Sequence, residues 1–184
     1  MADEYVDVVD KNDNELGIKK LKSIVHKEGD WHRGAHLWIV KEGRILLQKR
    51  APQKDFFPNC FDVACGGHVS SGEIFEDTLV REVKEELGLK VNKKDFIFLD
   101  KRNQVSKDEI KGLISREVLG VYLYFLKEPV KNIILQEEEV SEVKLFEINE
   151  LKNLLKNKPK MFVADKDYFF EAIDKIEDIL SRQR

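Results

Sequence analysis

The feature that most constrains this chain is a periodic apolar pattern near its middle. Leu79, Val83 and Leu87 recur every four residues, which predicts a helix from Leu79 onward with one apolar stripe. Gly88 follows the last of them, where a left-handed C-terminal cap belongs. The pattern therefore predicts a helix that ends at Gly88.

The same helix is crowded with acids. At about 100° per residue, Glu82, Glu85 and Glu86 share an arc of roughly 100° around the helix axis. Like charges at this spacing destabilise an isolated helix, whereas a hard divalent cation with oxygen ligands reverses the sign of that repulsion. Two interpretations follow: an acidic face that is simply solvated, and a binding site for Mg²⁺ or Mn²⁺.

A motif of fixed residue types surrounds these acids. Gly67 is followed after five residues by Glu73, and after seven more by residues 81–89, which contain Arg81, the three acids and Gly88. This order resembles the Nudix box at every fixed position, and so many fixed types rarely fall at this spacing by chance. The resemblance implies an α/β (α+β) fold, a Nudix α/β/α sandwich with a mixed sheet. It also implies an enzyme that cleaves diphosphate linkages with Mg²⁺ or Mn²⁺.

The resemblance also implies roles for individual residues. The expected metal ligands are the box acids and one backbone carbonyl: Glu82, Glu85, Glu86, Glu73, and Gly67 or its neighbour Gly66. Arg81 is expected to orient a box glutamate through a charged pair. The general base of this family usually lies outside the box, and three candidates stay open here: Glu138, Glu139 and Glu117.

Three cations lie close together after a predicted β-hairpin formed by residues 36–40 and 44–48. Lys49 and Arg50 end a predicted strand over residues 44–48, and Lys54 follows nearby. They fit a solvated strand end, and they also fit a diphosphate clamp, because an arginine offers phosphate a two-pronged hydrogen-bonding fork. These residues are therefore the candidate substrate-binding residues.

The rest of the chain agrees with one Nudix domain over residues 1–184. Residues 5–9 and 15–21 predict an added N-terminal β-hairpin within residues 1–30, and residues 116–126 predict a central strand. Residues 101–112 are predicted to form a charged loop that could cover a substrate. Residues 165–182 predict a core-packing helix.

Five short segments carry a narrower resemblance, at residues 5–9, 31–33, 47–50, 57–61 and 67–68. They are similar to the isopentenyl-diphosphate isomerases and their hydrolase relatives within the Nudix family. Members of that branch hold a metal with histidines and glutamates, and four residues here match those positions: His26, His32, His68 and Glu117. The resemblance thus implies a possible second metal site.

Two departures from that branch argue against isomerase chemistry. The position of the other metal-binding glutamate falls on Ser115, and that of the catalytic cysteine falls on Gly66. Cys65 is one residue early, and a one-residue shift along a strand points the side chain to the opposite face. The intact box favours a diphosphate hydrolase. An isopentenyl-diphosphate isomerase and a binding module without turnover are the alternatives.

Composition limits the partners. The chain of 184 residues has 32 basic and 35 acidic residues, and this balance gives no basic footprint for a nucleic-acid polymer. No apolar run is long enough to predict a membrane span, and two closely spaced cysteines fit a reducing cytoplasm. We therefore expect a cytoplasmic protein that acts on a small-molecule diphosphate. A homodimer through the N-terminal hairpin stays open.

Overall fold

A mixed sheet of nine strands is the centre of the computed structural model, which describes residues 3–54, 56–163 and 165–182. The strands are β1 Tyr5–Val9, β2 Glu15–Leu21, β3 Trp31–Lys41, β4 Arg44–Arg50, β5 Phe61–Asp62, β6 Cys65–His68, β7 Ile97–Asp108, β8 Leu113–Phe125 and β9 Val140–Phe146. The helices are α1 Lys22–Glu28, α2 Phe75–Leu87, α3 Ile148–Asn157 and α4 Lys166–Arg182, with short 3₁₀ turns at Lys93–Asp95, Val130–Asn132 and Pro159–Met161.

Strand β3 organises the sheet, because it pairs with four other strands. It runs antiparallel to β1, β4 and β6 and parallel to β8. The parallel ladder places His32 opposite Glu117, and the antiparallel ladder to β6 places His36 opposite Gly66. The sheet is therefore mixed, and it brings residues that are distant in sequence side by side.

Alternating side chains of β3 divide the core into two layers. Trp38 and Val40 pack with α3 and α4 on one face, and Leu37 and Ile39 pack with α2 on the other. All four are essentially inaccessible to solvent. Burial of one such side chain contributes about 1.5–3 kcal/mol. Helices thus cover both faces of the sheet, and the predicted α/β/α sandwich is confirmed.

Helix α2 has the predicted stripe and the predicted end. Leu79, Val83 and Leu87 are fully buried, and Gly88 adopts the left-handed conformation with φ of 65°. The helix begins at Phe75, four residues before the start that periodicity predicted. The next chain segment then docks on the helix end, where the amide of Ile134 donates to the carbonyl of Leu87 at 3.0 Å.

The predicted loop over residues 101–112 is wrong for residues 101–108 and is reduced to a turn at residues 109–112. Residues 101–108 continue β7 and pair residue by residue with β8, from Lys101 opposite Gly120 to Asp108 opposite Leu113. A backbone ladder needs no apolar side chains, and burial along this part of β7 alternates between exposed and half-buried. Residues 101–108 were therefore predicted as a loop because of their charged composition, although they form a strand.

The predicted N-terminal hairpin is present as β1 and β2, and it packs on the rest of its own chain. Val8 of β1 pairs with His32 of β3, and Val6, Val8 and Val25 form a small buried cluster. Sequence reasoning missed helix α1, which lies between β2 and β3 and has only seven residues. Within the described ranges, no helix has the length and apolar character needed to cross a membrane.

Gly88→Ala is expected to lower the free energy of unfolding by more than Gly43→Ala. Both glycines have positive φ, which costs an alanine about 1–2 kcal/mol. A Cβ at Gly43 meets nothing within 4 Å, whereas a Cβ at Gly88 lies 2.9 Å from Ile134 Cβ. Urea denaturation of both variants measures the difference. Equal losses contradict the tight docking of residue 134 on the end of α2.

Candidate functional site

An open cleft of about 900 Å³ lies at one end of the sheet. One part of its wall carries box acids of α2, and another part carries histidines from three different elements. The sequence-predicted residues that line it are Glu82, Glu85, Glu86, Gly67, Glu139, Glu117, His26, His68, Arg50 and Lys54. The cleft therefore joins the two predicted metal sites in one space.

Gly67 lets strand β6 approach the acids of α2 closely. A Cβ at this position would overlap the carboxylate of Glu82, whose Cγ lies 2.8 Å from it. Only glycine leaves room for the carboxylate against the backbone at this point. The requirement for glycine in the box is thus steric, and it brings the backbone of residue 67 beside an acid of α2.

Arg81 lies among the box acids and balances their charge. Its Nη1 donates to Glu82 at 2.7 Å and to Glu85 at 3.4 Å. Its Nε and Nη2 donate to the two oxygens of Glu73 at 3.3 and 3.2 Å. Glu73 thus contacts Arg81, and it is not among the residues that line the cleft. This geometry is what an orienting role for Arg81 requires.

Glu86 is the most deeply buried of the box acids, with 5% of its surface exposed. Burial, together with the charge of Glu82, raises the pKa of Glu86 to about 8. Burial also raises the pKa of Glu82, although Arg81 opposes the shift. The Cys65 thiol is fully buried and does not line the cleft, which agrees with the predicted orientation, and it lies near enough to Glu86 to lower the pKa of that residue.

Gln48 is a neighbour of Glu86 that sequence reasoning missed. Its amide nitrogen lies 3.5 Å from Glu86 Oε2, and its buried Oε1 finds no hydrogen-bond partner among the described residues. The available signal was a polar residue at an inward position of the apolar strand β4, two residues after Leu46. An orphaned oxygen beside buried carboxylates fits a hard cation and its water ligands.

The three candidate bases have different environments. Glu139 is 8% exposed, lines the cleft and forms an ion pair with Lys54. Glu138 is exposed and lies outside the cleft. Glu117 lines the cleft among the histidines. The turn that carries Glu139 is fixed on α2, because the amide of Gln136 donates to the carbonyl of Glu86 at 3.1 Å.

The three candidate substrate-binding cations also differ. Arg50 lines the cleft and is held by Asp62 at 3.0 Å and by the carbonyl of Phe56 at 3.0 Å. Lys54 lines the cleft beside Glu139. Lys49 lies outside it, because successive side chains of β4 point to opposite faces of the sheet. The predicted clamp therefore has two members in this cleft.

The predicted histidine set forms a compact cluster. The ligand atoms of its four members all lie within 4.8 Å of one another: His26, His32, His68 and Glu117. His26 comes from α1, His32 from β3, His68 from β6 and Glu117 from β8. A Cβ at Gly34 would lie 2.7 Å from Glu117 Oε2, so this glycine makes room for the carboxylate.

The protonation preferences of this cluster suit metal binding. Burial lowers the pKa of both His26 and His32 to about 4, so both rings are neutral above about pH 5. Burial alone would raise the pKa of Glu117, but His68 and His32 hold it well below its usual range. His32 Nε2 is buried and has no hydrogen-bond partner among the described residues. Three imidazoles and one carboxylate fit a transition-metal ion.

Ser115 takes a supporting place in this cluster. Its hydroxyl donates to Glu117 Oε1 at 2.5 Å and lies 3.4 Å from His26 Nε2. The hydroxyl adds no negative charge to the cluster. A metal ion held here would therefore have one carboxylate ligand from β8.

A family model decides the identity of the fold. The model of the NUDIX domain matches residues 30–171, which is most of the chain. The chain belongs to the Nudix hydrolase family. Nudix hydrolases act on pyrophosphate bonds and generally use divalent metals, which agrees with the acids and the histidine cluster of the cleft.

Similar proteins include hydrolases and an isomerase. An uncharacterised Nudix hydrolase of Clostridium acetobutylicum is 40% identical over 164 residues, covering 86% of this chain and 77% of that protein. Isopentenyl-diphosphate Delta-isomerase 2 of Photorhabdus laumondii is 30% identical, covering 88% of each chain. Nudix hydrolase 3 of Arabidopsis thaliana is 36% identical over 89% of this chain, which spans only 22% of that longer protein.

A solved structure supports the same fold. A protein of Deinococcus radiodurans superposes with a TM-score of 0.63 at 22% identity, covering 84% of this chain and 90% of that one. At this identity the likeness concerns the fold alone. The arrangement of a mixed sheet with helices on its two faces is therefore shared with a solved protein.

Glu86 is expected to make the metal-free protein less stable as the pH rises. Its folded pKa of about 8 exceeds the ordinary 4.5, so its contribution is present below about pH 4.5 and lost as the pH rises through 8. The free energy of unfolding of Glu86→Gln, relative to that of wild type, should therefore rise by up to about 1.4 kcal/mol per pH unit between pH 6 and 8. Urea denaturation in a chelator measures this gain.

The matched control is Glu85→Gln, because the side chain of Glu85 is half exposed on the same helix. Its stability relative to wild type should change little between pH 6 and 8. If Glu86→Gln shows the same flat difference, the carboxyl of Glu86 is not raised in the folded protein.

Proposed function

We propose that this chain is a metal-dependent hydrolase that cleaves the diphosphate linkage of a small molecule, in a nucleoside diphosphate-type or related substrate. The observation that carries the proposal is the convergence of Glu82, Glu86 and Glu139 with the backbone of Gly67 in one cleft. Uncompensated carboxylates crowded in a partly buried wall are costly, whereas carboxylates that share cations are stable.

This geometry supports a set of proposed cation ligands. Glu82, Glu85 and Glu86 provide carboxylate oxygens, and Gly67 provides a backbone carbonyl. Their oxygen chemistry suits Mg²⁺ or Mn²⁺. When bound, these cations neutralise charge on the diphosphate and lower the pKa of the attacking water. Arg81 holds Glu82 in place, and Glu73 in turn holds Arg81.

Glu139 is the general base that this arrangement supports best. It lines the cleft at the end of α2, near enough to Glu86 to influence the pKa of that residue. Glu139 accepts a proton from water as the water oxygen bonds to phosphorus. The bridging P–O bond then breaks, and the leaving phosphate keeps the electron pair. Lys54, which forms an ion pair with Glu139, and Arg50 both line the cleft. We propose that these two cations bind the diphosphate oxygens.

An isopentenyl-diphosphate isomerase is the second candidate function. The histidine cluster and the 30% identical isomerase of Photorhabdus laumondii favour it. The position of the catalytic cysteine opposes it. Gly66, which occupies this position, has no side chain to move a proton, and Cys65 is buried on the other face of β6. If the chain is a hydrolase, as proposed, the histidine cluster serves as its second metal site.

Glu139→Gln is expected to lower hydrolysis of a responsive nucleoside diphosphate compound by about 10²–10⁴-fold, because it removes the proton acceptor. Glu138→Gln should keep turnover within about twofold of wild type, because Glu138 is exposed and lies outside the cleft. Phosphate or nucleotide monophosphate release with saturating Mg²⁺ measures both. Equal losses, or a larger loss for Glu138→Gln, contradict the assignment of Glu139.

Incubation with isopentenyl diphosphate and metal separates the two candidate functions. A hydrolase of this design should release phosphate from a member of a diphosphate panel and should form no allylic product from isopentenyl diphosphate. Allylic product without phosphate release would show isomerase chemistry. Product analysis by proton NMR and a colorimetric phosphate assay on the same sample reports both outcomes.

A further inference from the structure

His36 faces the cleft but has no role in the proposed chemistry. It lies on β3 opposite Gly66 of β6 and is part of the cleft wall. The metal cluster uses the other three histidines, and His36 is not among its ligands. A polar side chain at this central position therefore needs an explanation.

A buried hydroxyl holds one nitrogen of this ring. His36 Nδ1 lies 3.1 Å from the hydroxyl of Tyr168, and Trp38 Nε1 lies 3.0 Å from the same hydroxyl. Tyr168 is 2% exposed, and Arg102 lies over its ring at 4.7 Å while pairing with Asp165 at 2.9 Å. The N-terminal end of α4 is thus fixed on the sheet, and it fixes His36.

The hydrogen bonds of Tyr168 select one tautomer of His36. An indole nitrogen can only donate, so the phenol oxygen accepts from Trp38. Burial raises the pKa of Tyr168, which keeps the phenol proton in place. Among the described residues, His36 Nδ1 is the only acceptor found for that proton. A buried hydroxyl is normally satisfied, so Nδ1 accepts and Nε2 carries the ring hydrogen.

Gly66 leaves the side of His36 that carries Nε2 uncovered. A Cβ at Gly66 would lie 2.9 Å from His36 Cδ2 and 3.6 Å from Nε2, so a side chain there would cover this edge of the ring. No hydrogen-bond partner of His36 Nε2 is found within the described ranges. The N–H therefore points to the cleft as an available donor.

The box acids and this donor line the same cleft from opposite faces of β6. A Cβ at Gly66 would point toward His36, whereas a Cβ at Gly67 would point toward Glu82. Arg50, a candidate diphosphate ligand, lines the cleft with both. A neutral donor suits this place, because a second positive charge would repel the cations that the carboxylates attract. An N–H donor still forms a strong hydrogen bond with a charged phosphate oxygen.

We propose that His36 is a diphosphate-binding residue, which donates a hydrogen bond from Nε2 to a non-bridging oxygen of the substrate, and that Tyr168 is the positioning residue that fixes its tautomer. This assignment rests on the proposed function, because it takes the diphosphate as the ligand of the cleft. It adds a neutral hydrogen-bond donor to the cations Arg50 and Lys54.

The tautomer is tested in the free protein by two-bond proton–nitrogen correlation spectra of the histidines. The signals of His36 are identified by their loss in His36→Phe. At pH 7.5 in a chelator, Nδ1 should show the shift of an unprotonated nitrogen and Nε2 that of an N–H. Tyr168→Phe should shift His36 toward a mixture of tautomers. A protonated Nδ1 in the wild-type protein overturns the assignment.

Binding is tested with methylenediphosphonate and Mg²⁺ by calorimetry, since this diphosphate analogue is not hydrolysed. His36→Phe, which keeps a flat ring without a donor, should weaken binding by at least about tenfold. His36→Gln, which keeps an N–H near the position of Nε2, should stay within about threefold of wild type. Equal binding by wild type and His36→Phe overturns the proposal.

Two controls separate this proposal from the proposed function. Circular dichroism and urea denaturation confirm that each variant is folded, and titration with Mg²⁺ alone reports whether the carboxylate site is intact. If wild type itself fails to bind methylenediphosphonate with Mg²⁺, the proposed function and this assignment fail together. If wild type binds and His36→Phe binds equally, only the assignment of His36 fails.

Discussion

The contact between Gly67 and the carboxylate of Glu82 is the constraint on which this site depends. The glycine brings β6 against α2, where Glu86 is buried beside Glu82 with its pKa raised to about 8. The fully buried stripe of α2 holds the helix in that position. The core thus supplies the free energy that keeps ionisable groups where water would otherwise solvate them. In the proposed function, divalent cations shared by these carboxylates would offset that cost.

The sheet explains why a second cluster lies in the same cleft. Three adjacent strands, β6, β3 and β8, place His68, His32 and Glu117 side by side, and α1 adds His26. Burial keeps His26 and His32 neutral, while His68 is the largest of the contacts that lower the pKa of Glu117. The two clusters therefore differ in the protonation of their carboxyl groups. Burial raises the pKa of Glu82 and Glu86 in the box, whereas the pKa of Glu117 is lowered among the imidazoles. The strand order assembles the histidine cluster, whereas helix α2 supplies the acids.

Much of this site could be predicted from sequence, because its signals are local. The stripe of α2, the cap at Gly88 and the spacing from Gly67 are short-range patterns. The strand over residues 101–108 was missed because its ladder to β8 needs no apolar residues. Glu139 and Glu138 are adjacent, and only the docked turn separates a buried carboxylate from an exposed one. The role of His36 could not be predicted, because its ring is oriented by Tyr168, which is 132 residues away in the chain.

We propose that the box carboxylates and the backbone of Gly67 hold divalent cations for a diphosphate. Crystals grown with Mn²⁺ and methylenediphosphonate test it through anomalous scattering at the manganese edge. We expect an anomalous peak within about 2.3 Å of a carboxylate oxygen of Glu82 or Glu86, with a diphosphonate oxygen as a further ligand. Manganese confined to the histidine cluster, or diphosphonate bound far from α2, contradicts the account.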